Sequence, residues 1–194
     1  MSSPITLLVG LGNPGAQYER TRHNAGFWFL DEVARRLGVH FNSEKRYHGE
    51  LAQASGPGGK LWLLKPDTFM NRSGQAIAPL ANFYKIPAEQ ILIAHDELDL
   101  PPGELRLKRG GGHGGHNGLR DTIAQLGSKE FLRLRLGIGH PGHSSQVTGY
   151  VLGKAPSGEQ AEIDRAIDRA CDELDLILQG DLPKAMNRLH SKAS

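Results

Sequence analysis

Short apolar runs alternate along this chain with stretches of 3.6-residue periodicity, and that alternation restricts the fold more than any other feature. Ile5–Gly10 is the first run, closed by glycine and followed by the turn Leu11-Gly-Asn-Pro-Gly15. Asn24–Leu37 then carries Phe27, Leu30, Val33, Ala34 and Leu37 at helical spacing, with Gly38 as the stop. Tyr47–Ala54 and Lys60–Lys65 read as a hairpin across Ser55-Gly-Pro-Gly-Gly59. A helix over Ser73–Tyr84, with Ser73 as its cap, precedes an apolar strand over Ile91–His95 that ends at Asp96. Glu104–Lys108 alternates as a strand, a short helix reaches Leu126, and Leu134–Gly139 is a further strand. Ser157-Gly-Glu-Gln160 has a capping-box pattern and opens a long amphipathic helix that runs to Gly180. A last helix covers Leu182–Leu189.

Strands interleaved with helices imply an α/β fold, a sheet covered on both faces. The hairpin makes that sheet mixed. With 194 residues, no repeat and no linker, a single domain over 1–194 is expected. In such sheets, sites collect beyond the carboxyl ends of the strands. The loops beginning at Gly12, Asp67, Asp96 and Gly110 are therefore the places to look.

No run approaches the ~20 apolar residues of a membrane helix. The start lacks the basic segment and longer apolar stretch of a signal peptide, and the lone Cys171 permits no intrachain disulfide. A cytoplasmic protein is expected. Net charge is only +2, but it is unevenly spread. Arg106, Lys108, Arg109, Arg120, Lys129, Arg133 and Arg135 face three acids between Glu104 and Leu136, while acids outnumber bases after Ala155. A basic middle is read either as a local anion site or as an ordinary solvated face.

The four loops hold Asn13, His23, Asn24, Asn71, Asp96, His113, His116 and Asn117. A histidine near its unperturbed pKa of ~6.5 takes a proton from water at neutral pH if an acceptor fixes its tautomer. Asp96 is the candidate acceptor for His23. Asparagine amides donate to a carbonyl oxygen and accept from an amide N–H, so they suit an ester or peptide backbone. His113-x-x-His116 and His140-x-x-His143 have ligand-like spacing, yet no glutamate or cysteine pair accompanies them, and no metal is expected. The run Gly110–Gly118 lacks the ending of a P-loop; it reads equally as a phosphate cradle beside Lys108 and as a mobile lid. No Gly-x-Ser-x-Gly elbow is present, and Cys171 falls on the apolar face of a helix.

Gly10-Leu-Gly-Asn-Pro-Gly15, Thr21-Arg-His-Asn-Ala-Gly26, Thr68-Phe-Met-Asn71, His95-Asp-Glu-Leu-Asp-Leu-Pro-Pro-Gly103, Gly110–Gly118 and Gly137-Ile-Gly-His-Pro-Gly142 together resemble the bacterial peptidyl-tRNA hydrolase family, in order, from about Leu8 to the C-terminal helices. The resemblance implies a monomeric, cofactor-free α/β esterase that cleaves the bond between a peptide and the terminal ribose of tRNA. It implies that His23 is the general base, Asp96 its partner and Asn13 a catalytic amide. By the same resemblance Tyr18, Met70, Asn71, His116 and Asn117 line the substrate site, and Lys108 and Arg135 hold tRNA. Where some relatives carry lysines after Gly142, this chain has His143-Ser-Ser-Gln146, so no basic contact is implied there. A non-catalytic RNA-binding module and a hydrolase of small esters or nucleosides are the rival classes.

Overall fold

The computed structural model describes residues 3–190. Seven strands form one mixed sheet in the order β2-β3-β4-β1-β5-β7-β6. They are β1 (Leu7–Gly10), β2 (Asn42–Glu44), β3 (Gly49–Gly56), β4 (Gly59–Pro66), β5 (Ile91–Glu97), β6 (Leu105–Arg109) and β7 (Leu132–Gly137). Strands β4, β1, β5 and β7 run parallel, while β2, β3 and β6 are antiparallel to their neighbours. The helices are α1 (Ala25–Leu37), α2 (Gly74–Phe83), α3 (Asn117–Leu126), α4 (Val147–Val151), α5 (Ser157–Asp172), α6 (Leu174–Leu178) and α7 (Leu182–His190).

The helices divide between the two faces as the alternation requires. On one face Phe29, Leu30 and Val33 of α1 pack with Ile163 and Ile167 of α5 against Leu92, Leu134 and Leu136. On the other, Ile77 and Leu80 of α2 and Leu119 of α3 pack against Leu7, Val9, Ile91 and Ile93. Cys171 is buried in the first core, and burial pushes its thiol up to about 12.

Two glycines set the position of α1. A Cβ on Gly10 would stand 2.2 Å from the carbonyl oxygen of Gly26, and one on Gly26 would stand 2.4 Å from that of Ala94. Without side chains there, the start of α1 lies directly on the carboxyl ends of β1 and β5. His23, three residues ahead of Gly26, is thereby brought beside Asp96.

Several expectations need correction. Ser73 does not cap α2 with its side chain; its hydroxyl donates to the Met70 carbonyl, and Asp121 of α3 accepts the Gly74 N–H instead. Ser157 is the first residue of α5 rather than its cap. The long helix breaks at Glu173, and the turn lets Leu178 accept the N–H of Ile5 below β1. Strand β7 begins two residues earlier than expected, on the alternation Leu132-Arg-Leu-Arg-Leu136. Gly110 does not follow the carboxyl edge, because β6 is antiparallel and Arg109 pairs with Leu132 at the start of β7. The glycine run therefore starts at the opposite edge and returns along β7, a length of roughly 17 Å, to deliver His116. The strand β2 and the helix α4 were not foreseen: one is a short polar edge, the other a Val-Thr-Gly-Tyr-Val segment of poor helix formers.

Candidate active site

Asp96 is the next-to-last residue of the central strand β5, with its side chain almost wholly buried. Its two carboxylate oxygens are used separately. Oδ2 lies 2.8 Å from Nδ1 of His23, which arrives from the α1 layer, and Oδ1 lies 2.8 Å from Nε2 of His116, which arrives from the α3 layer. A buried carboxylate only accepts, so the network assigns N–H to both ring atoms. His116 Nδ1 in turn accepts the N–H groups of Gly118 and Leu119 at 3.1 and 3.3 Å, capping α3. Its tautomer is thus fixed from both sides. The one imidazole lone pair left unused in the trio is on Nε2 of His23, whose side chain is 14% exposed.

Electrostatics follow from this wiring. Burial lowers the His23 pKa, but the Asp96 charge and hydrogen bond outweigh it, and the net shift is upward from 6.5. Burial would raise Asp96; the two imidazoles outweigh it and hold the carboxyl far below its ordinary range. Neighbouring His95 donates from Nδ1 to the Asp96 carbonyl at 2.9 Å, and burial, with His116 nearby, pushes it down to about 4.

Asn13 is held by its own backbone. Asn24 accepts the Asn13 N–H at 2.8 Å and donates to its carbonyl at 3.0 Å, so the Asn24 side chain serves Asn13 rather than capping α1. The Asn13 Oδ1 accepts the Met70 N–H at 2.7 Å. Its Nδ2 donors remain for a ligand. Asn13, His23, Met70, Asn71, Asp96, His116 and Asn117 line one cleft of about 1090 Å³. Tyr18, expected in the lining, is not part of it; its ring makes a T-shaped contact with Phe69 at a centroid distance of 6.3 Å. Phe69 itself lines the cleft, is 56% exposed, and was passed over in the sequence. An exposed aromatic between two polar motifs was the available signal.

The peptidyl-tRNA hydrolase family model matches residues 7–194. The chain belongs to the peptidyl-tRNA hydrolase family. It is 59% identical over 188 residues to a peptidyl-tRNA hydrolase of Colwellia psychrerythraea, covering 96% of this chain and 97% of that one. Identity to the Alcanivorax borkumensis protein of the same name is 59% over 191 residues, covering 98% of each. The crystal structure of peptidyl-tRNA hydrolase from Acinetobacter baumannii superposes with a TM-score of 0.95 at 52% identity, covering 98% and 97%.

Within this family frame the cleft has a cationic flank. On β6 and β7 the leucines face the first core, while Arg106 pairs in register with Arg135, and Lys108 with Arg133. Like charges opposite each other cost stability. Arg135 is held by Glu97 at 2.7 Å. Lys108 has no acid partner among the described residues. Arg133, also missed, is buried and donates to the carbonyls of Gly111, Gly112 and Lys129, fastening the glycine run.

The histidine pairs turn out to be local caps. Nδ1 of His113, His140 and His143 each accepts a backbone N–H two residues on, as His116 does. The ligand atoms of His23, Asp96 and His116 lie within 4.8 Å of one another. Among the described residues no helix is long and apolar enough to cross a membrane.

Proposed function

We propose that this chain hydrolyses the ester joining a peptide to the terminal ribose of tRNA, with water activated at Nε2 of His23. The observation that carries the reading is the Asp96 carboxylate shared between His23 and His116, which leaves His23 with one free, correctly placed lone pair. Nε2 takes a proton from water, and the hydroxide oxygen bonds to the ester carbonyl carbon. The resulting oxyanion meets amide donors from Asn13, Asn71 and Asn117. Collapse breaks the bond to the ribose oxygen, which takes the proton back from His23. Asp96 stabilises the transient imidazolium. General-base help of this kind contributes roughly 10²–10⁴-fold.

Three asparagines suit a substrate whose backbone is constant and whose side chains vary. The cationic flank at Lys108 and Arg135 suits the phosphates of an acceptor stem, which give salt-dependent affinity without base readout. The chain works as a single-domain monomer in the cytoplasm and needs no cofactor. Purified protein should release tRNA from an N-acylated aminoacyl-tRNA, and His23→Ala should lose most of that rate. Near-normal activity of the variant would overturn the mechanism. Equal turnover of simple esters lacking a tRNA stem would favour a small-substrate hydrolase instead.

A further inference from the structure

Arg22 precedes His23 and is buried at 8% exposure, yet no carboxylate pairs with it among the described residues. A buried guanidinium without an acid is costly. Its compensation comes from one place, α4. The Arg22 Nη1 donates to the Tyr150 carbonyl at 2.8 Å, and its Cζ lies 3.7 Å from the centroid of the Tyr150 ring. The Arg22 N–H donates to Gly153 at 3.0 Å, and Thr21 bridges Lys154. On its far side, Tyr150 donates from its hydroxyl to Ile138 beyond the end of β7 at 2.6 Å.

The helix so held is short and intrinsically weak, and it is a wall of the cleft. Val147, Thr148 and Val151 line the cleft together with Leu152, while Tyr150 points to the body of the protein. We infer that Arg22 is a positioning residue: through Tyr150 it straps the α4 wall to the loop that carries His23, and so sets the width of the substrate cleft. The inference rests on the proposed hydrolysis for its kinetic consequence, though not for its structural one. Opening α4 would return the guanidinium to water, so the strap releases without leaving a buried charge stranded.

Three variants test it: Arg22→Met, Tyr150→Leu and the double substitution. Hydrogen exchange read by mass spectrometry should show amides 147–153 exchanging at least tenfold faster in each, with helices α1 and α5 unchanged. With N-acylated aminoacyl-tRNA, KM should rise about tenfold while kcat falls less than threefold. The double variant should lose less than the sum of the two single losses, since both remove the stacking of the guanidinium on the Tyr150 ring. Tyr150→Phe keeps the ring under the guanidinium and should reverse most of the KM rise seen in Tyr150→Leu. Unaltered exchange over 147–153, or additive losses in the double variant, would overturn the strap. If the wild-type protein turned over no peptidyl-tRNA, the functional reading would fall while exchange still decided the strap. Should Arg22→Met not fold, Arg22→Lys keeps the charge but loses the planar stacking and is read in the same way.

Discussion

Nε2 of His116 lies 2.8 Å from the one Asp96 oxygen that His23 does not use. Under the proposed mechanism His116 therefore works through Asp96 as well as lining the site. It holds the carboxylate in the plane that His23 needs and draws off part of its charge. In His116→Ala that charge would fall on His23 alone. The acid limb of kcat/KM should then move to higher pH, with kcat down by roughly ten- to a hundredfold, an effect of the size seen when a partner orienting a histidine is lost. A pH-rate profile reads both. An unmoved acid limb would confine His116 to substrate contact.

The His23 pKa is raised above 6.5, and only its unprotonated form accepts a proton from water. Activity should thus climb with pH through an inflection above 6.5. The raised pKa also contributes stability, fully present below the unfolded value and lost as pH rises through the folded one. In Asp96→Asn the amide can donate to Nδ1 and leave Nε2 protonated. The rate should drop by roughly 10²–10⁴-fold, and what remains of the His23 titration should move downward, because burial is then unopposed. Carbon-13 or proton NMR of the imidazole follows that shift directly.

How far the sequence disclosed this site depends on where each residue sits relative to the sheet. His23, Asp96, Asn13 and Asn71 follow or end strands whose apolar runs are easy to read, so their convergence on one edge was legible. Gly110 was misplaced because strand direction is not encoded in periodicity; antiparallel β6 reverses where its loop begins. Arg133 looked like one more surface cation, since its burial comes from carbonyls of a glycine loop lying across it. The helix α4 left no periodic trace, because its five residues make little more than one turn; Arg22 adds to the packing of Val147, Tyr150 and Val151 on the first core. The role of Asn24 was hidden likewise: cap and clamp use the same residue type.

Gly26→Ala tests the close approach that brings His23 to Asp96. The added Cβ would stand 2.4 Å from the Ala94 oxygen and 2.6 Å from the Leu11 nitrogen, both main-chain atoms without rotamers to yield. Overpacking of this kind costs about 1–3 kcal/mol. Thermal or urea unfolding should show that loss. Activity per folded molecule should fall as well, because α1 must lift and carry His23 with it. A variant with lowered stability but full specific activity would show that the shift is absorbed elsewhere.

The cationic flank separates free charge from paired charge. Lys108 has no acid partner among the described residues, whereas Arg135 is bound to Glu97, whose own pKa is lowered: burial raises it, and the Arg135 hydrogen bond and charge, with His95 and the Asp99 N–H, together outweigh burial. Each phosphate contact contributes close to one unit to the salt slope of binding. Lys108→Ala should therefore flatten the slope for catalytically silent His23→Ala protein binding tRNA by about one. Glu97→Gln should do the opposite: it frees the Arg135 guanidinium, tightens binding at low salt and steepens the slope. Titration of fluorescent tRNA between low and moderate salt measures both. Identical slopes in all three proteins would mean that the β6–β7 face does not meet the phosphates, and that its four like charges are held for some other ligand.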